Sequence, residues 1–501
     1  MNDSLSQQNV GFVSSQSGLL LSLSAIFITV YLLCNRGPFS KIPGPFVAKF
    51  TNLWEVYHAR LGQRYMAVHK AHQRYGPIIR LAPNHISIAD FAAIPILHGS
   101  GLQSLDKSPY YKAFISGEKA SIFSTVDRKE HALKRRFYTG TFAPKTVKLY
   151  APSVLHVLEK LSEKLDKQVI ESKGQPVNLM IYLNYFALDA LSTLAFGSSL
   201  GTLDRESDVL EGGSSEGIIK TIDEREHRGA VVGWSPFLQR WGHYMPDPFF
   251  WRGSHDSNEL DRIARACIQE RLSSGSENID VLGHLIATQQ KQHGDIDIDI
   301  LVSEAITVLI AGTDATTNAM TAAVFLISTH PNVKEALRRE LESALGKFGT
   351  PKIEGQISGL PYLNACVLEV LRYHSPTGMG LPRVSQGFEF RGHWFPAGTD
   401  VSVPTWTMQH DPIVFGPDPY IFRPERWIED PSLIKFFMGF SSGARSCIGR
   451  NLAILELKMI VAVVFQKYDV EPQLQRLETV DKLMHKPTDE SGWFTIKHRS
   501  V

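Results

Sequence analysis

The chain has 501 residues and a formal net charge of +1, so it can bury a large core, and its bulk charge gives no support for nucleic-acid binding. Its four cysteines are too far apart in the sequence to indicate a disulfide scaffold or a Cys-x-x-Cys zinc site. They are Cys34, Cys267, Cys366 and Cys447, and we interpret Cys267 and Cys366 as buried apolar side chains.

The first apolar segment predicts a membrane anchor. Residues 18–34 carry no charge, are rich in Leu, Ile and Val, and together with the residues back to Phe12 reach about the length of a membrane-spanning helix. Arg36 and Lys41 follow the segment, whereas only Asp3 is charged before it, which predicts that the rest of the chain is cytosolic. A cleaved signal peptide is the alternative, but no basic region precedes the segment and no Ala-x-Ala site closes it.

The anchor divides the chain into four predicted regions. Residues 1–17 form a luminal tail, in which the tripeptide Asn-Asp-Ser beginning at Asn2 could accept a glycan. Residues 35–46 form a proline-rich hinge that can orient the following domain against the membrane. Residues 47–501 form the main domain.

The main domain is predicted to be mainly α with a small β-rich part. Residues 146–310 show mostly helical periodicity, interrupted by glycine- and serine-rich loops. Short β-like alternation occurs at residues 80–90 and again after Gly378. Residues 128–136 are basic and are interpreted either as a solvated helix face or as a surface that docks an acidic partner.

The most specific functional pattern is found at residues 440–450, Phe-Ser-Ser-Gly-Ala-Arg-Ser-Cys-Ile-Gly-Arg, just before a long apolar helical pattern. A helix N-terminus and nearby positive charge keep a thiolate such as that of Cys447 ionised. Gly443 and Gly449 let the backbone approach a large flat ligand, and Arg445 can pair with a carboxylate at its rim. The pattern is typical of a haem whose iron is bound axially by cysteine.

A serine-hydrolase motif overlaps this pattern. Residues 439–443 read Gly-Phe-Ser-Ser-Gly and match a nucleophile elbow with Ser441 as the nucleophile. An elbow needs a strand directly before the serine and a helix directly after it, whereas the helical pattern begins only after Cys447. We therefore rank the hydrolase interpretation last.

The spacing of Phe440, Gly443, Arg445, Cys447 and Gly449 resembles the haem-binding loop of the cytochrome P-450 monooxygenases. The resemblance implies a cytochrome P-450 fold after the N-terminal transmembrane helix, and haem b with the Cys447 thiolate as axial iron ligand. It also implies insertion of one atom of dioxygen into a hydrophobic small molecule. Microsomal members of the family carry a similar proline-rich hinge.

The resemblance assigns roles to residues outside the loop as well. Glu369 and Arg372 lie one turn apart in a predicted helix, and with Arg426 they match the Glu–Arg–Arg triad that holds the family's core. The two haem propionates need cationic or hydrogen-bonding partners. The candidates are Arg445, Arg383, Arg135 and His131. The family often has tryptophan in place of His131.

Residues 310–317, Ile-Ala-Gly-Thr-Asp-Ala-Thr-Thr, resemble the family's distal helix motif. By this resemblance Gly312 leaves room for dioxygen, and Asp314 with Thr316 or water carries protons. The family usually has a threonine or serine directly after the acid, where this chain has Ala315. Because each helical residue turns the side chain by about 100°, Thr316 replaces that hydroxyl only through a local bulge, and otherwise a water molecule must.

The chain has no glycine-rich nucleotide motif in a strand–turn–helix context, so its electrons must come from a partner. For an anchored member of this family, the expected partner is a membrane-bound NADPH–cytochrome reductase, and the expected location is the endoplasmic reticulum membrane. A haem sensor without turnover and an NADPH-independent haem-thiolate isomerase or dehydratase remain alternatives; Ala315 favours the second.

From about residue 40 to the end, the sequence is similar to the fungal benzoate para-hydroxylase branch, for example at Pro83-Asn84-His85. Such scaffold similarity is weak evidence for a substrate. We therefore predict an intermediate of fungal secondary metabolism ahead of benzoate or a related aromatic acid. The positions expected to face the substrate are residues 107–121, the distal helix, residues 376–380 and the turn at 491–493.

Overall fold

The computed structural model describes residues 37–99, 105–210, 215–274, 280–293, 296–352 and 354–500. The predicted anchor, the luminal tail and Cys34 lie outside these residues. Residues 37–46 of the predicted hinge are described, and within them Phe39 and Ile42 are buried against a small sheet.

The described chain is mainly helical, as predicted. The α-helices of its first half are Leu53–Arg60, Arg64–Tyr75, Ile94–Leu97, Arg128–Phe137, Pro144–Glu171, Leu179–Phe196, Thr202–Arg205, Ile218–Val232, Pro236–Trp241 and Pro248–Ser274. Those of its second half are Val281–His293, Ile298–Ser328, Pro331–Leu345, Pro361–Tyr373, Thr405–Gln409, Pro412–Phe415, Arg426–Glu429 and Arg450–Lys467. Several begin with proline. The backbone N–H of the first helical residue makes no hydrogen bond within the helix, so its absence in proline costs nothing there.

The β-rich part consists of short strands in small sheets. The strands are β1 (Ile78–Ala82), β2 (His85–Ile88), β3 (Asp106–Lys107), β4 (Val177–Asn178), β5 (Arg383–Val384), β6 (Phe388–Phe390), β7 (His393–Phe395), β8 (Asp400–Ser402), β9 (Tyr468–Pro472), β10 (Thr479–Lys482), β11 (Met484–Pro487) and β12 (Trp493–His498). One sheet has the strand order β1-β2-β8-β5-β3, a second has the order β4-β12-β9, and β6-β7 and β10-β11 form two-stranded pairs. The strands predicted at residues 80–90 and after Gly378 are confirmed.

The longest helix, Ile298–Ser328, is called the central helix below. It begins sharply because the Asp297 side chain accepts hydrogen bonds from the backbone N–H groups of Asp299 and Ile300. Its apolar side chains are buried on almost every face, as expected of a helix that passes through a core. It packs against Leu179–Phe196 on one side and against Arg450–Lys467 on another.

Among the described residues, one helix, Leu179–Phe196, is long and apolar enough to cross a membrane. Most of it is buried inside the fold, and Phe186 and Leu188 are fully buried there. Its apolar composition is therefore accounted for by the protein core.

Candidate functional site

The segment of residues 440–449, called the Cys447 loop, turns back on itself directly before the helix Arg450–Lys467. The backbone N–H of Cys447 donates a hydrogen bond of 2.9 Å to the carbonyl oxygen of Phe440, which closes the loop. Gly443 has a φ of 70°, and a Cβ on it would lie 1.5 Å from the carbonyl oxygen of His98. Only glycine fits at that position, so Gly443 sets the close approach of the two segments.

Ser441 does not occupy a nucleophile elbow. The segment before it is a 3₁₀ helix, Pro431–Phe436, and the helix after it begins only at Arg450. The strand–serine–helix geometry that an elbow requires is absent from this described segment. The low rank of the hydrolase interpretation is therefore supported.

A cavity of about 290 Å³ lies between the Cys447 loop and the central helix. From the loop it is lined by Phe440, Arg445, Cys447 and Gly449, and from the basic helix Arg128–Phe137 by His131 and Arg135. From the central helix it is lined by Thr307, Val308, Ala311, Gly312, Ala315, Thr316 and Ala319. Residues more than 300 positions apart in the sequence, such as His131 and Cys447, are thus brought to one cavity.

The Cys447 thiol is accessible from the cavity, although the surrounding protein encloses it. Burial raises the pKa of Cys447, while the N–H of Gly449 and the charges of Arg135 and Arg450 act in the opposite direction. A metal ion bound to this sulfur would supply the remaining positive charge and deprotonate it. The donor set therefore suits a thiolate ligand.

Five basic side chains, called the basic cluster, surround one end of the site: Lys107, His131, Arg135, Arg383 and Arg445. Among the described ion pairs, none involves Lys107, Arg135, Arg383 or Arg445. Arg445 donates one hydrogen bond to the carbonyl oxygen of Val126. Its Nε and Nη1 are buried and have no hydrogen-bond partner among the described residues.

Burial and mutual repulsion lower the pKa values of Arg445 and His131. Burial and the charge of Arg383 lower the pKa of Arg445 to about 10. Burial and the charges of Lys107, Arg445 and Arg135 lower the pKa of His131 to about 2, so this imidazole is neutral. The two buried Arg445 donors without partners fit a ligand that carries carboxylates. The cluster therefore fits the two propionates of a haem.

Lys107 belongs to this cluster although the sequence did not single it out as a propionate partner. Strands β3 and β5 are antiparallel, and their register places Lys107 opposite Arg383. The Arg383 guanidinium donates a hydrogen bond of 2.7 Å to the Tyr111 hydroxyl. No local sequence signal identifies Lys107, because its place depends on a strand pairing with residues far along the chain.

Glu369, Arg372 and Arg426 meet in the core beside the Cys447 loop. The Glu369 carboxylate accepts two hydrogen bonds of 2.8 Å from Arg372 and one of 3.1 Å from Arg426. Arg372 also donates to the carbonyl oxygen of Gln409, whose side-chain oxygen accepts from the N–H of Met438. The three charged residues are thus connected to the segment that leads into the Cys447 loop.

The central helix is α-helical without interruption from Ile298 to Ser328, so the bulge considered for Thr316 is not present. Ala315 and Thr316 both line the cavity. Asp314, between them and Gly312 along the helix, is not itself a lining residue, and its Oδ1 accepts hydrogen bonds of 3.2 Å from Asn318 and from Lys486. Water is left as the group that can replace the missing hydroxyl at Ala315.

Two expectations need correction. Lys134, within the basic run 128–136, is buried rather than on a docking face, because its ammonium contacts Glu304 and donates to the carbonyl oxygen of Ala120. The turn at 491–493 does not line the cavity in the described structure; from this part of the chain Met484 does so instead. Both differences arise from tertiary packing that periodicity does not report.

Comparison with known proteins agrees with this geometry. The chain is 33% identical to benzoate 4-monooxygenase of Aspergillus niger, over 94% of this chain and 96% of that protein. It is 28% identical to pisatin demethylase of Fusarium vanettenii, over 86% of this chain and 83% of that protein. The family model described as cytochrome P-450 matches residues 43–491. The chain therefore belongs to the cytochrome P-450 family.

Proposed function

We propose that this cytochrome P-450 monooxygenase binds haem between the Cys447 loop and the central helix and oxidises an uncharged hydrophobic small molecule. The observation that carries the proposal is the cavity itself, which has an accessible thiol on one face, small residues on the other and unpaired cations at its rim. Haem bound there would activate dioxygen for insertion of one oxygen atom into the substrate.

The protein's own residues divide the remaining work. Cys447 would hold the iron, and the basic cluster would hold the propionates. Ala315 and Gly312 line the opposite face. A Cβ on Gly312 would lie 2.4 Å from Leu191 Cδ1, so this glycine allows close packing of Leu191. Thr316 lines that face, and Asp314 lies beside it, so these two residues with water would bring protons to the site.

The cysteine assignment can be tested with a matched pair of variants. Cys447→Ser should abolish the thiolate-type Soret spectrum of the carbon monoxide complex, because serine is a poor ligand for haem iron. Cys366→Ser should keep that spectrum, since Cys366 is fully buried and does not line the cavity. A normal spectrum in Cys447→Ser would contradict the assignment.

The cavity lining supports an uncharged substrate. Away from the basic cluster, its wall is mainly apolar and includes Ile122, Phe123, Leu191, Val308, Leu381 and Met484. The cations that do line the cavity belong to the cluster assigned to the propionates. A substrate carboxylate would therefore lack a counter-charge among the described lining residues, and burying an unpaired carboxylate is unfavourable.

Two other reactions stay as candidates. Hydroxylation of benzoate or a related acid is supported by the relative that is 33% identical. A Soret-shift screen with benzoate and with uncharged terpenoid and aromatic metabolites separates the two substrate classes. Product identification follows for the compounds that bind.

An NADPH-independent rearrangement is supported by Ala315, and product formation from a hydroperoxide without NADPH would decide in its favour.

Electrons are proposed to come from a membrane-bound NADPH–cytochrome reductase. The basic helix Arg128–Phe137 exposes Lys129 and Arg136 to solvent, and Arg135 of the same helix donates to the carbonyl oxygen of Ser446 in the Cys447 loop. A positive surface beside the loop favours docking of an acidic partner.

The proposed location is the endoplasmic reticulum membrane. Large apolar side chains are exposed on Leu53, Tyr57, Phe237, Trp241 and Tyr244. The two segments that carry them are joined by a hydrogen bond from Asn52 to the carbonyl oxygen of Trp234. An apolar surface of this kind fits contact with lipid beside the predicted anchor. Deletion of residues 1–36 should lower the fraction of the protein that sediments with microsomes.

A further inference from the structure

Lys486 joins three elements: β11, the central helix and the helix Ile218–Val232. It lies on β11, two residues after Met484, whose side chain lines the cavity. The Lys486 ammonium lies 3.2 Å from Asp314 Oδ1 on the central helix. It also forms an ion pair with Asp223 on the helix Ile218–Val232. Lys482 on β10 pairs with the same Asp223 at 2.5 Å.

These charges are largely shielded from solvent. The side chains of Lys486 and Asp314 are 13% and 11% exposed. Burial alone would lower the pKa of Lys486, but the carboxylates of Asp314 and Asp223 outweigh it and raise this pKa. Burial would raise the pKa of Asp223, but Lys486 and Lys482 lower it to about 2. Each charge therefore depends on its partners to remain ionised.

The two oxygens of Asp314 have different surroundings. Oδ1 accepts from Lys486 and from Asn318, while Oδ2 is buried and has no hydrogen-bond partner among the described residues. A buried carboxylate oxygen without a partner is an acceptor left for water or for another hydroxyl. Lys486 thus fixes one oxygen and leaves the other available.

We propose that Lys486, anchored by Asp223, is a positioning residue that holds Asp314 by Oδ1 so that Oδ2 serves the proton path to the cavity. The inference rests on the proposed role of Asp314 in proton delivery. The position of Asp314 matters more in this chain than in a chain that has a hydroxyl residue directly after the acid, because Ala315 cannot help to order the water.

Three variants at the two lysines test the inference in the haem-loaded protein with reductase. Lys486→Met removes the ammonium, Lys486→Arg keeps a cation, and Lys482→Met removes a cation that contacts Asp223 but not Asp314. The readouts are the peroxide released per NADPH consumed, the solvent isotope effect in D₂O and the thermal unfolding midpoint. Lys486→Met should raise the peroxide released per NADPH consumed, because product formation falls on the order of tenfold or more when a catalytic group is misplaced, and it should enlarge the isotope effect. Lys486→Arg should restore both, and Lys482→Met should leave both unchanged.

Asp314→Asn provides the reference. If this variant changes neither the peroxide ratio nor the isotope effect, the proposed role of Asp314 fails, whatever Lys486 does. If it changes both and Lys486→Met changes neither, the inference about Lys486 is overturned while the role of Asp314 stands.

The double variant Lys486→Met with Asp314→Asn should match Asp314→Asn alone in isotope effect, because Lys486 acts through Asp314. Its unfolding midpoint should also fall by less than the sum of the single effects. Independent, additive effects would overturn the inference. If Lys486→Met does not retain haem, Asp223→Asn is measured instead, and an unchanged isotope effect in that variant overturns the inference.

Discussion

Replacing Glu369 by glutamine should destabilise the folded protein strongly. The carboxylate is fully buried and accepts hydrogen bonds from Arg372, Arg426, the Trp427 indole and the backbone N–H of Arg423. Its Oε2 alone accepts two of these bonds, from Arg372 and Trp427. In glutamine one carboxylate oxygen becomes an NH₂ group, so at least two donors would face another donor.

The expected loss follows from these contacts. Two buried donors left without an acceptor cost about 1–3 kcal/mol each, and the guanidinium groups of Arg372 and Arg426 lose their shared counter-charge. Removal of one partner from a buried ion pair typically costs about 3–5 kcal/mol. We expect Glu369→Gln to lower the free energy of unfolding by about that amount, or the midpoint by about 3–5 °C for cooperative unfolding of a chain of this length.

The assay is thermal unfolding followed by far-UV circular dichroism, with the haem-to-protein ratio measured in parallel. Glu429→Gln is the matched control, because Glu429 pairs with Arg423 at 2.6 Å on an exposed surface. Such a pair contributes about 0–1 kcal/mol. If Glu369→Gln unfolded within 1 °C of Glu429→Gln and kept its haem, the structural role assigned to Glu369 would be wrong.

Three further predictions concern the cavity. Gly443→Ala should prevent stable haem incorporation, because the added Cβ would lie 1.5 Å from the His98 carbonyl oxygen; normal haem content in purified Gly443→Ala would contradict this reading. Ala315→Thr should lower the peroxide released per NADPH consumed, because its hydroxyl can order water near Asp314; an unchanged ratio would refute the hypothesis. Burial raises the pKa of Glu456 to about 8, so the folded state binds its proton more tightly than the unfolded state, and this group reduces stability as the pH rises from about 4.5 towards 8. Glu456→Gln should therefore gain stability over the natural protein progressively between pH 5.5 and 8, and a pH-independent difference in unfolding midpoint would argue against it.

Patterns within single sequence segments were sufficient to predict the elements and the loop that depend only on neighbouring residues. Period-two alternation at residues 80–90 predicts β1 and β2, and the long apolar helical stretch predicts the central helix. The pattern of the Cys447 loop is equally local, because its glycines, arginine and cysteine lie within residues 440–449. The family follows from that loop and its supporting motifs.

Only the tertiary structure decided which distant side chains share an environment. Lys107 enters the basic cluster through the pairing of β3 with β5, and Lys486 reaches Asp314 from 172 positions along the chain. Lys134 looks like a surface charge in the sequence, but the central helix supplies Glu304 as its buried partner. The physical reason is the same in each case: periodicity reports which face of an element is buried, whereas charge pairing depends on what the fold places against that face.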